Sequence, residues 1–233
     1  MSFTAEVKEE LTRVPPVCSH CDKAVLAALV RTEGTLMFGG TGRYRVELAT
    51  DVPSVARLII KLLHQIYQLK TELTVRRSVL HKTPNYLIVL PMQPGLDGAL
   101  HDAGVLSATG LEMGIDPHLV EKQCCTAAYL RGAFLGSGFI SNPRGDFHFE
   151  MTLESEDLAR GIVAPLVVDG LSQERFGHFG VPGAGGSAPG GACHGKRAGH
   201  QKRPQRREPS GERRTGEPGE KRAVLCRADH GHP

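Results

Sequence analysis

The 233-residue sequence predicts an α+β fold made by pseudo-symmetric duplication: helix, two strands, helix, two strands, helix, with the second copy truncated and a disordered tail behind it. Three observations lead there. Two helix-like stretches, 24–34 and 128–138, carry small residues at every fourth position: Ala24, Ala28 and Thr32 in one, Ala128, Gly132 and Gly136 in the other. That spacing clears one helix face of bulk and lets two backbones approach closely along a seam. Each stretch ends at a glycine and leads into the same succession of short strand, turn, alternating strand and helix, an internal repeat too long for chance periodicity. Beyond about residue 173 the aliphatic periodicity stops, and Gly, Arg, Pro and His take over.

In order, residues 4–14 read as a capped amphipathic helix with Phe3, Val7 and Leu11 on one face, ended by Pro15 and Pro16. This helix forms its own unit, 1–16, ahead of a first repeat at 17–110. After the first small-faced helix come an apolar strand at 35–38 and an alternating strand at 44–49. Ser54 or Thr50 caps a helix that runs to about Tyr67. Segments 73–79 and 86–90 alternate as a hairpin around 82–85, a third helix spans 97–105, and 106–116 is the linker. The second repeat occupies 117–172, with strands at 139–141 and 147–152 and a helix from 158, so that Glu150 stands where the first copy has Glu47. Pro165 then falls in mid-helix. Its missing amide and its ring clash cost about 3 kcal/mol or more there, and the copy is expected to break off.

The segment 173–233 cannot bury enough apolar area to offset chain entropy and is expected to be disordered. It also holds the positive charge. Of 28 basic and 25 acidic residues, 12 basic and 6 acidic lie from Glu174 onward, which leaves 16 against 19 in the folded part. A basic-patch argument for nucleic acid would rest on the tail alone. No apolar run approaches the roughly 18 residues of a membrane span and no signal-peptide pattern opens the chain, so a cytoplasmic protein is expected. Six cysteines in that compartment are not a disulfide framework. Cys18 and Cys21 have zinc-like spacing, and Cys124 with Cys125 in principle completes a site, but a vicinal pair is a poor chelate and no second spaced pair exists. Packing or capping thiols are the expectation, with no metal and no cofactor.

The motif Leu130-Arg131-Gly132-Ala133-Phe134-Leu135-Gly136-Ser137-Gly138 resembles the LAGLIDADG motif of homing endonucleases, and 26–34 resembles a looser copy. The opening Ser2-Phe3-Thr4-Ala5-Glu6-Val7-Lys8-Glu9-Glu10-Leu11 resembles the start of WhiA proteins, bacterial regulators with a LAGLIDADG-like N-terminal part and a C-terminal helix-turn-helix. Residues 131–138 fit the second motif of that family closely, and the likeness covers about 2–162. The resemblance implies two motif helices packed at the centre of the molecule, with the sheets forming a saddle. In the endonucleases each motif helix ends in an acid that holds a divalent metal over DNA.

Here those positions are Glu33 and Ser137. Two-metal hydrolysis needs a carboxylate from each half, and a serine hydroxyl does not replace one for a hard cation. Both positions therefore read as vestigial, and no catalysis is expected. Arg43, Arg45, Arg76, Arg77 and Lys82 fall on strands or hairpin turns, where they would meet phosphates if the sheet faces DNA. The resemblance further implies a transcriptional regulator of cell division, chromosome segregation and sporulation, associated with the nucleoid. It would bind promoter DNA and contact a sigma factor or co-regulator, with no membrane and no small-molecule substrate. Two other readings compete: a metal-dependent nuclease and a protein-binding scaffold. The family's main DNA reader, the helix-turn-helix, is not found after Gly170. The composition of the tail is what a shifted frame produces from GC-rich codons, so a frameshifted or truncated reading frame is expected past Ile162.

Overall fold

The computed structural model describes residues 2–39, 43–77, 84–145, 148–153 and 155–168, with the backbone of 179–180 and 223–226. Helix α1 (Phe3–Leu11) is capped by Ser2, whose hydroxyl accepts from the Ala5 amide at 3.2 Å. The first repeat then runs α2 (Cys21–Glu33), β1 (Gly34–Phe38), β2 (Tyr44–Thr50), α3 (Pro53–Tyr67), β3 (Glu72–Arg77), β4 (Pro84–Leu90) and α4 (Leu96–Asp102). A small hairpin of β5 (Leu106–Ser107) and β6 (Gly110–Leu111) sits inside the expected linker, with Gly110 taking the positive φ that its turn requires. The second repeat runs α5 (Gln123–Ser137), β7 (Gly138–Ile140), β8 (Phe149–Leu153) and α6 (Glu156–Val168).

The first sheet has the order β1-β2-β4-β3, all antiparallel. The second copies its start: Gly34 faces Leu48 in the first sheet and Gly138 faces Met151 in the second. Alternate residues of β2 and β4 point at the helices, and Val46, Leu48, Ile88 and Leu90 are buried there. They join Leu26, Leu29, Ile59, Leu62, Leu135, Leu153 and Ile162 in one continuous core that crosses between the repeats.

Three local expectations are corrected. Neither Thr50 nor Ser54 caps α3: Val52 holds the N-cap place without a side-chain bond, and Pro53 starts the helix because its fixed φ and missing amide suit that position. Helix α6 continues past Pro165 to Val168, so the loss of one amide donor does not end it. Two short strands, β9 (Phe179–Gly180) and β10 (Ala223–Cys226), come from the segment expected to hold no folded element, and they give the second sheet the order β7-β8-β10-β9. The rest of 173–233 lies outside the described residues, as does Lys82. Among the described residues no helix is long and apolar enough to cross a membrane.

Candidate functional site

Helices α2 and α5 pack against each other more extensively than any other pair of helices. A side chain at Gly132 would put its Cβ 2.5 Å from the Val25 carbonyl oxygen and 2.8 Å from the Ala28 Cβ, and one at Gly136 would lie 2.1 Å from Thr32 Oγ1. Ala24, Ala28 and Ala128 are buried along the same two helices. Each helix ends in a glycine for a steric reason. The chain turns from helix to strand so sharply that a Cβ at Gly34 would lie 2.1 Å from the Val30 carbonyl oxygen, and one at Gly138 would lie 2.5 Å from that of Phe134.

The C-terminal end of the seam is chemically lopsided. Glu33 is half-buried, with its side chain beside Gly136. Ser137 turns back on its own helix, donating from Oγ to the Ala133 carbonyl at 3.3 Å. Between the motif ends lies Lys8, reaching in from α1. It is 7% exposed and its Nζ donates to the Gly136 carbonyl at 2.7 Å. Burial holds its pKa below the ordinary lysine value, against the opposing pull of the Glu33 and Asp51 carboxylates. Thus one carboxylate, one hydroxyl and one ammonium meet where paired carboxylates would be needed to hold two divalent ions. Lys8 has no special standing in the sequence; its only signal is that it follows Val7 on a helix whose apolar face must pack inward.

The residues expected to meet phosphates divide between the faces of the first sheet, one turned away from the helices and one toward them. Cross-strand register places Met37, Arg45, Glu47, Val89, Glu72 and Arg76 on the face turned away. Arg77 is on the opposite face, and Arg43 is exposed just before β2. Arg45 is paired with Glu47 at 2.9 Å. The second repeat has the same device, His148 against Glu150 at 3.1 Å, with the Phe139 ring tilted on His148. The first sheet therefore neutralises part of its own cationic charge.

At the other end of the seam four thiols converge. Cys18, Cys21, Cys124 and Cys125 have sulfur atoms within 4.8 Å of one another. Cys18 lies 3.4 Å from Cys21 and 3.6 Å from both Cys124 and Cys125. The His20 amide, followed by the Cys21 thiol, draws the Cys18 pKa down to about 6, while burial pushes Cys125 up to about 12. The vicinal pair discounted from local spacing is thus completed across more than a hundred residues of chain.

Two family models match the chain: the WhiA N-terminal LAGLIDADG-like domain over residues 19–106 and the WhiA LAGLIDADG-like domain over 126–170. The chain belongs to the WhiA family. It is 39% identical over 168 residues to the probable cell division protein WhiA of Desulforamulus reducens, covering 70% of this chain and 52% of that one. It is 38% identical over 163 residues to that of Heliobacterium modesticaldum, covering 69% and 51%. The chain therefore spans about half the length of the curated WhiA relatives it matches. Among solved structures, the N-terminal LAGLIDADG domain of WhiA superposes with a TM-score of 0.59 at 17% identity, covering 97% of this chain and 84% of that one. Full-length WhiA from Thermatoga maritima superposes at 0.55 with 19% identity, covering 78% and 53%. At such identities these two likenesses establish the shared fold.

The WhiA repeat held a signal for the thiol cluster. Cys21 precedes Ala28 by seven residues and Cys125 precedes Gly132 by seven. Because Ala28 and Gly132 touch, two helical turns back the two cysteines must stand side by side.

Proposed function

We propose that this chain is the double-repeat portion of a WhiA-type, DNA-binding transcriptional regulator of cell division, chromosome segregation and sporulation, and that it performs no phosphodiester cleavage. The observation that carries the non-catalytic half is the Lys8 ammonium bound to the Gly136 carbonyl beside Glu33, with Ser137 in the second acidic position. A cation held there opposes metal ions electrostatically as well as leaving them short of ligands. Incubated with plasmid and magnesium or manganese, the protein should leave supercoiled DNA intact. Metal-dependent nicking that is lost in Glu33→Gln would establish the nuclease reading instead.

Promoter DNA is the proposed partner, read chiefly by the helix-turn-helix of the family, with the saddle adding phosphate contacts through Arg43, Arg45 and Arg76. A sigma factor or co-regulator is the proposed protein contact. The self-paired Arg45 favours weak binding by this portion alone. Retardation of a duplex probe should be confined to low salt and fall steeply as salt rises. Arg45→Ala with Arg76→Ala should flatten the log–log slope by about 2, near one per phosphate contact removed. A second reading, the protein-binding scaffold, is favoured by one feature: Met37, Phe38 and Met92, 40%, 68% and 51% exposed, form an apolar patch flanked by Arg43 and Arg45. It predicts no retardation even at low salt.

A further inference from the structure

We propose that Cys18, Cys21, Cys124 and Cys125 bind one structural zinc ion, which clamps the two repeats together at the end of the seam opposite Glu33 and Ser137. Four thiolates around zinc at about 2.3 Å form a tetrahedron whose sulfur atoms are roughly 3.8 Å apart. The closest sulfur pairs here lie 3.4–3.6 Å apart and all lie within 4.8 Å, so side-chain rotation alone brings the set to that shape. The cluster is largely enclosed: Cys21 is 2% and Cys125 3% exposed, while Cys18 and Cys124 are partly exposed and leave a path for the ion.

The surroundings suit an anionic centre. On coordination four thiols lose their protons to solvent and four Zn–S bonds form, leaving a net charge of about −2. Cys21 opens α2, and Cys124 and Cys125 lie in the first turn of α5. Neither helix start has a side-chain cap, and both set the positive ends of their dipoles beside the sulfurs. An all-sulfur, four-ligand set selects zinc over hard cations and leaves no open position for catalysis, which makes the role structural. Because two ligands come from each repeat, the ion would close a loop of about a hundred residues, holding Ala28 against Gly132 at the level where the helices touch.

The test is metal content and cobalt spectroscopy on the full chain, purified with reductant. About one zinc per chain is expected, and cobalt added to the stripped protein should give the visible bands and sulfur-to-metal charge transfer of a tetrahedral thiolate site, saturating near one equivalent and bleached by zinc. Cys21→Ser and Cys125→Ser should each abolish that spectrum. Cys193→Ser with Cys226→Ser should leave it unchanged. Should the single variants fail to fold, the spectrum of the Cys193→Ser, Cys226→Ser protein still decides, because in it only Cys18, Cys21, Cys124 and Cys125 remain to give tetrathiolate bands at one equivalent. The proposal is overturned by an absence of those bands, by iron in place of zinc, by bands that persist in Cys125→Ser, or by an intact mass lowered by disulfide formation in reductant-treated, metal-free protein.

Discussion

Gly132→Val should cost about 4 kcal/mol or more, enough to unfold most of the protein at ambient temperature. The reason lies in what the new atoms would meet. The first carbon alone would stand 2.5 Å from a backbone oxygen of α2 and 2.8 Å from the Ala28 Cβ, and neither group has a rotamer through which to retreat. The helices must then move apart along the surface that joins the repeats, and the core that crosses between them opens. Gly132→Ala should cost less, about 1–3 kcal/mol, since one carbon can be absorbed by a smaller shift. The control is Gly98→Ala in α4, where nothing lies within 4 Å of the added carbon. That change should stabilise by about 0.5–1 kcal/mol through lower backbone entropy in the unfolded chain. Urea midpoints of the three variants check the series, and a Gly132→Val protein as stable as wild type would mean that the motif helices do not meet as described.

The seam was legible in sequence because close approach has only one cheap solution, small residues one turn apart, and that solution leaves a visible period. The strands were legible for a similar reason: the alternation of Val46, Leu48 and Thr50 with Arg45, Glu47 and Ala49 is a two-residue period that only a half-buried sheet produces. What escaped has a common cause. The cap of α3 was misplaced because Pro53 fixes the helix start without any side-chain bond, so the usual hydroxyl signal points at the wrong residues. The convergence of the four thiols is hidden in sequence because Cys124 and Cys125 are adjacent and form no spaced pair of their own, whereas the partners are 103–107 residues apart and are aligned by the repeat itself. Lys8 was invisible because an amphipathic pattern assigns every lysine to solvent, and only the three-dimensional approach of α1 to α5 shows where this one ends.

Lys8→Glu should destabilise the protein by about 3–5 kcal/mol, far more than an ordinary surface charge reversal. The new carboxylate would face the Gly136 carbonyl oxygen that now accepts from the lysine and would stand in the field of Glu33 and Asp51. Lys8→Met is the informative contrast. It strands the Gly136 carbonyl, at about 1–3 kcal/mol, but it also removes the cost of burying an ammonium, so its net effect should be smaller. The pH dependence separates the two contributions. The folded-state pKa of Lys8 lies below its unfolded value of about 10.4, so below the folded pKa both states are charged and the folded one bears the full cost of desolvation. As pH rises through the window between those two values the folded state loses its proton first, and the cost disappears. The unfolding free energy of wild type minus that of Lys8→Met should therefore move in favour of wild type across that window. A difference that stays flat with pH would mean that the Lys8 ammonium is solvated rather than buried between the motif ends.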